Sequence, residues 1–126
     1  MKKWALKNIS DGSWKREVLA SRKPVLVYFG IPGNPLCLKQ ERNIALVLAH
    51  LGNKASVGRV NVQTYPSLAS RYGISGIPTM LLFYRGLLCR SFIGLIDAVT
   101  LREALAILGR LGTIKQRLTP LAGTRR

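Results

Sequence analysis

A chain of 126 residues is long enough for one hydrophobic core and too short for two. Its 48% apolar content and mean hydropathy of +0.15 exclude a disordered chain. Twenty Lys and Arg against five Asp and Glu leave a net charge of +15, which favours polyanions as partners: nucleic acid, anionic lipid or an acidic protein face.

No apolar run reaches the ~18 residues of a membrane span. Two Cys with one His cannot fill an ordinary four-ligand zinc site, so no metal and no cofactor is expected. Lys2 and Lys3 are followed by Lys7, Asn8, Ser10 and Asp11, where a signal peptide needs an apolar stretch. The expected location is the cytoplasm, with the periphery of a membrane complex as its variant. Two cysteines suit a reduced compartment.

In chain order, residues 10–20 read as a short helix capped by Ser10 or Asp11, with Trp14, Val18 and Leu19 on its apolar face, and Pro24 stops it. "PVLVYFG" is a buried strand closed by Gly30. In "IPGNPLC", Asn34 is a good N-cap and Pro35 suits the first helical position, where its missing N–H costs nothing. That helix carries Cys37 on its first turn and runs to about Leu51, where Gly52-Asn53 ends it.

"SVGRVNV" is a second core strand, and "YPSLASRYG" a helix of about two turns. "PTMLLFYRGLLCRSFIG" is a β-hairpin around Tyr84-Arg85-Gly86, and "DAVTLREALAILGRLG" a last helix capped by Asp97. The fold class is α/β, a central mixed β-sheet flanked by helices. Its first two core strands are parallel through a crossover helix, and the hairpin adds antiparallel strands. Residues 1–108 form the expected domain. Residues 109–126 form a basic tail with no acid.

This order of elements resembles thioredoxin. The resemblance is carried by "KPVLVYFG" leading into a turn with a helix-start cysteine, by "RYGISGIPTMLLFYRG", and by Gly94 after the hairpin. It spans about Leu6 to Leu108 and implies a thioredoxin fold. It also implies a cis bond at Ile77-Pro78, beside the active-site turn, where the preceding residue's backbone pairs with an extended peptide.

The same resemblance shows departures. The family's W-C-G-P-C falls on Gly33-Asn34-Pro35-Leu36-Cys37, so the position of the nucleophilic cysteine holds Asn34, which cannot attack a disulfide. Cys37 matches the resolving cysteine, whose role needs a mixed disulfide made by the first. The family's buried Asp corresponds to Tyr28, its nearby Lys to Arg59, and its platform tryptophan to Gly33. A phenol with an ordinary pKa near ~10 is a poor proton acceptor at pH 7. Dithiol reductase activity is therefore not expected. Cys89, mid-strand in the hairpin, reads as core packing, far from Cys37.

The crossover helix carries a second signal. In "NIALVLAHLGNK" residues 44 to 51 are apolar except His50, and the face holding Leu46, Ala49 and His50 is expected at the surface. A helix apolar all round wants cover on both sides, which points to a protein partner. His50 stands about 20 Å along the helix from Cys37, which excludes a Cys–His dyad.

The leading expectation is a redox-inactive binding or structural subunit of a larger assembly with an acidic or anionic surface. It would use Asn34, Pro35, Ile77, Pro78, Gly94, Leu46, Ala49 and His50. One alternative is a single-cysteine thiol–disulfide oxidoreductase or redox sensor acting through Cys37. Another is nucleic-acid or ribonucleoprotein binding through the basic termini.

Overall fold

A computed structural model describes residues 6–108. Strand β2, Val25–Gly30, is buried at every position, as an unbroken apolar run must be in a strand covered on both faces. It pairs in parallel with β3, Ser56–Asn61, and antiparallel with β4, Thr79–Tyr84. Strand β5, Leu87–Ile93, pairs antiparallel with β4. A two-residue strand β1, Lys7–Asn8, lies parallel to β3, and the order across the sheet is β1-β3-β2-β4-β5. The mixed sheet and its flanking helices are those the sequence pattern predicts. Strand β1 is not, because Lys and Asn carry no strand signal and take their place through backbone pairing and partners distant in sequence.

Alternate residues of β2 enter different cores. Leu26 and Tyr28 join Met80, Leu82 and Phe92 beneath helix α1, Pro35–Leu51, and helix α3, described over residues 98–108. Val25, Val27 and Phe29 join Trp14, Val18, Leu68 and Phe83 on the other side, under helix α2, Pro66–Arg71, and the N-terminal turn. Trp14 anchors that second core. Its ring lies 5.1 Å from Tyr72 and 5.5 Å, edge-on, from Phe83, and its indole N–H donates to the Tyr72 hydroxyl.

Two expectations need correction. Residues 10–20 do not form an α-helix. Ser10 and Ser13 close a turn through reciprocal backbone-to-hydroxyl bonds, and one turn of π-helix follows over Lys15–Leu19. Its wide turn is set by the Ala20 N–H donating to the Lys15 carbonyl at 2.9 Å.

Cys89 is not in the core; it is exposed. The register moves from Leu82↔Arg90 to Phe83↔Leu88, so Cys89 is the extra residue of a β-bulge and has no partner across the ladder. The hairpin itself closes tightly. Arg85 and Gly86 have φ of 51° and 83°, the left-handed pair that a two-residue turn of this hand requires.

The expected basic tail, 109–126, lies outside the described residues, as do Lys2 and Lys3.

Candidate functional site

Three connections meet at one end of the sheet. The turn after β2 leads into α1, the Ile77–Pro78 segment leads into β4, and Gly94 follows β5. Phe29 is opposite Thr79 and Thr79 opposite Ile93, which fixes the neighbourhood. The Gly94 N–H donates to the Pro78 carbonyl at 2.9 Å, and Gly94 has φ of 91°, a conformation a side chain would strain. The Ile77–Pro78 peptide bond is cis.

Asn34 stands at the start of α1 with extended backbone. Its Oδ1 accepts from the Cys37 N–H at 3.1 Å, and its carbonyl accepts the first helical bond from Leu38 at 2.8 Å. Pro35 takes the first helical position. Asn34 and Pro35 thus do what local helix physics asks of a cap and a first-turn residue.

Cys37 has no solvent exposure and packs with Tyr28, Ile44 and Met80. The Tyr28 phenol reaches the Cys37 carbonyl at 3.2 Å and Glu41 Oε2 at 3.1 Å, one proton facing two acceptors. Arg59 completes the arrangement. Its Nη1 lies 3.8 Å from the same Glu41 oxygen, and its Nε donates to Asn8 Oδ1 at 2.7 Å.

Burial first, then the Cys37 bond and the Glu41 charge, push the Tyr28 pKa far above the ordinary tyrosine value. At neutral pH the group donates a hydrogen bond and accepts no proton. The ring also explains Gly30, where an added Cβ would meet the Tyr28 hydroxyl at 2.6 Å. An open cavity of about 290 Å³ borders this network, lined by Asn8, Ile31, Pro32, Glu41, Arg59 and Asn61 among others.

Glu41 is absent from the sequence-based residue set. The available signal was its position four residues after Cys37, on the same helix face, as the sole acid of α1. Around the turn the structure adds a rim of exposed apolar side chains: Leu36 and Leu38 on the first turn of α1, and Ile93 and Leu95 flanking Gly94.

Leu46, Ala49 and His50 are exposed, with Leu46 at 58%. They belong to a different surface, because Leu46 is twelve residues beyond Asn34, about 18 Å along the helix. The His50 ring lies 3.1 Å from the Leu46 carbonyl, in the last turn of α1. Among the described residues there is no cluster of His, Cys, Asp and Glu that could hold a metal, and no helix long and apolar enough to cross a membrane.

The family model for thioredoxin matches residues 5–106. Thioredoxin 1 of Synechococcus elongatus is 33% identical over 97 residues, covering 77% of this chain and 91% of the relative. Thioredoxin of Griffithsia pacifica is 32% identical over 101 residues, 80% of this chain and 93% of the relative. Thioredoxin of Rickettsia felis is 38% identical over 79 residues, 63% of this chain and 75% of the relative.

Proposed function

The chain belongs to the thioredoxin family, and from that premise we propose that it is a redox-inactive member serving as a binding or structural subunit of a larger assembly with an acidic or anionic surface. The observation that carries this reading is the junction of Asn34 and Cys37. The side chain at the nucleophile's position caps a helix by accepting from the Cys37 N–H, while Cys37 itself has no exposure. A thiolate attacks only what it can reach, and its pKa falls in partly exposed, electropositive surroundings rather than apolar ones. The same burial counts against a single-cysteine enzyme acting through Cys37.

Proton handling supports the reading as well. Tyr28 and Glu41 share a hydrogen bond in the space where the resemblance places an acid that serves the resolving thiol. A phenol held neutral cannot take up the proton that a thiol must lose.

Apolar surfaces available for binding include the rim of Leu36, Leu38, Ile93 and Leu95 at the turn, and Leu46 on the outer face of α1. Covering the 58% of Leu46 that is exposed removes apolar area worth about 1–2 kcal/mol, against which Glu at that position would bury a charge. The +15 charge suits an acidic partner.

The test has two readings on the full-length chain. In an insulin-reduction assay with dithiothreitol it gives no rate above the uncatalysed one. In size fractionation of native cell extract it migrates well above its 13.9 kDa monomer mass, and Leu46→Glu, folded by circular dichroism, returns to the monomer position. Catalysed insulin reduction would overturn the redox half. An unchanged assembly with Leu46→Glu would overturn the helix-face half.

A further inference from the structure

The end of the sheet opposite the Asn34 turn collects cations and exposed leucines together. Val25, the first residue of β2, is opposite both Ser56 of β3 and Phe83 of β4, and the Ser56 N–H donates to the Pro24 carbonyl at 2.9 Å. Arg22 and Lys23 before β2, Lys54 before β3 and Arg85 after β4 therefore share one end of the fold, and all four are exposed. Residues 109–126, with five further cations and no acid, continue from residue 108. Leu108, the last described residue, belongs with Tyr84 to the core cluster beneath α1 and α3.

Two described acids come near this end: Glu17, two residues before Leu19, whose carbonyl a Cβ at Gly86 would meet at 3.0 Å, and Glu103 on α3. Glu17 is committed to Lys7 and Arg16, at 3.0 and 3.5 Å. Asp97 starts α3 at the far end, where its carboxylate accepts from the Thr100 N–H at 2.7 Å, and Glu41 lies in the first half of α1 beside Tyr28. Asp11 follows β1 beyond the β3 residue Arg59, on the far side of the sheet's midline. Glu103 is exposed one helical turn before Ile107, about 6 Å along α3, and is outnumbered by the four cations.

Charge alone would fit any polyanion. The apolar residues choose among them. Leu87 at 68% and Leu88 at 47% exposure sit on the two faces of the hairpin tip next to Arg85, and Ile107, near the end of the described part of α3, is 45% exposed. A nucleic-acid backbone contact has no use for exposed leucines between its cations. An anionic bilayer uses both: cations at the headgroups and apolar side chains at the acyl boundary.

We propose that this hairpin end is a peripheral membrane contact, with Leu87, Leu88 and Ile107 entering the interface and Arg22, Lys23, Lys54 and Arg85 lying on anionic headgroups. The proposal names the anionic surface of the reading above and rests on it in that respect alone. Its failure would leave the Leu46 association and the absence of disulfide reduction standing.

The experiment is vesicle co-sedimentation of the full-length chain, using phosphatidylcholine vesicles with and without about one third phosphatidylserine. At roughly fivefold per cation near the surface, four cations predict a few hundredfold preference for the anionic vesicles. Leu87→Ser/Leu88→Ser keeps every charge and loses about tenfold or more in partitioning. Lys23→Glu/Arg85→Glu loses more than that. Ile107→Ser repeats the apolar test from the helix should the hairpin variant fail to fold.

Partitioning unchanged in the folded leucine variant would mean that charge alone holds the chain to lipid, and would overturn the proposal. So would a single-stranded oligonucleotide that binds the chain more tightly than the anionic vesicles do, which would make this end a nucleic-acid surface.

Discussion

Replacing Asn34 with Ala separates a structural residue from a catalytic remnant. The substitution removes the acceptor for the Cys37 N–H at 3.1 Å, and Cys37 has no exposure through which water could replace it. Loss of an N-cap, which is the loss of this acceptor, costs about 1–2 kcal/mol, toward the upper end where the donor is buried. For a domain of this size that lowers Tm by about 4–8 °C. Asn34→Asp keeps the acceptor and places a carboxylate at a helix whose first turn carries no acid, so it should melt at or above the parent. Asn34→Cys should fall with the Ala variant, since a thiol caps poorly. Thermal melts by circular dichroism, with urea titrations alongside, read all three. An Asn34→Ala protein that melts with the parent would refute the claim that this side chain holds the start of α1.

The Tyr28 network predicts an alkaline effect. Because the folded state raises the Tyr28 pKa, its contribution is fully present below the unfolded value near ~10 and is lost as pH rises beyond it; urea stability measured across that range should fall, and less steeply in Tyr28→Phe. Glu17 works in the opposite sense. The Lys7 hydrogen bond holds its pKa below the ordinary 4.5, so its contribution is present above that value and is lost as pH falls through the lowered one, a dependence that Glu17→Gln should remove from an acid titration. Gly30→Ala drives a Cβ to 2.6 Å from the Tyr28 hydroxyl and should cost about 1–3 kcal/mol, with a smaller cost in a Tyr28→Leu background. Additive effects in that double-mutant cycle would mean the two residues do not share the space.

The strands that carry the fold were legible because their chemistry is local. "PVLVYFG" and "TMLLFY" are apolar runs bounded by Gly and Pro, and both are buried strands. Asn34 before Pro35 announced the start of α1, and Tyr84-Arg85-Gly86 the hairpin. What escaped depends on pairing across the chain. Strand β1 has no side-chain signal and exists through its ladder with β3. The bulge that turns Cys89 outward is a register slip between two strands, invisible in either one alone. Glu41 acquires its place from Tyr28 and Arg59, thirteen and eighteen residues away. The face of α1 reads correctly at Leu46, yet the apolar rim of Leu36, Leu38, Ile93 and Leu95 gathers residues from two elements that only the sheet brings together.

The central claim is that Cys37 packs and does not react. The direct measurement is the rate at which an aromatic disulfide reagent modifies the full-length Cys89→Ser protein at pH 7, native and in denaturant, so that Cys37 is the only thiol titrated. Burial predicts a native rate far below the denatured one, limited by the opening of α1 and lowered further by the stabilising Asn34→Asp. A native Cys37 that reacts as fast as the denatured thiol, or faster, would contradict the account and restore this residue to chemistry.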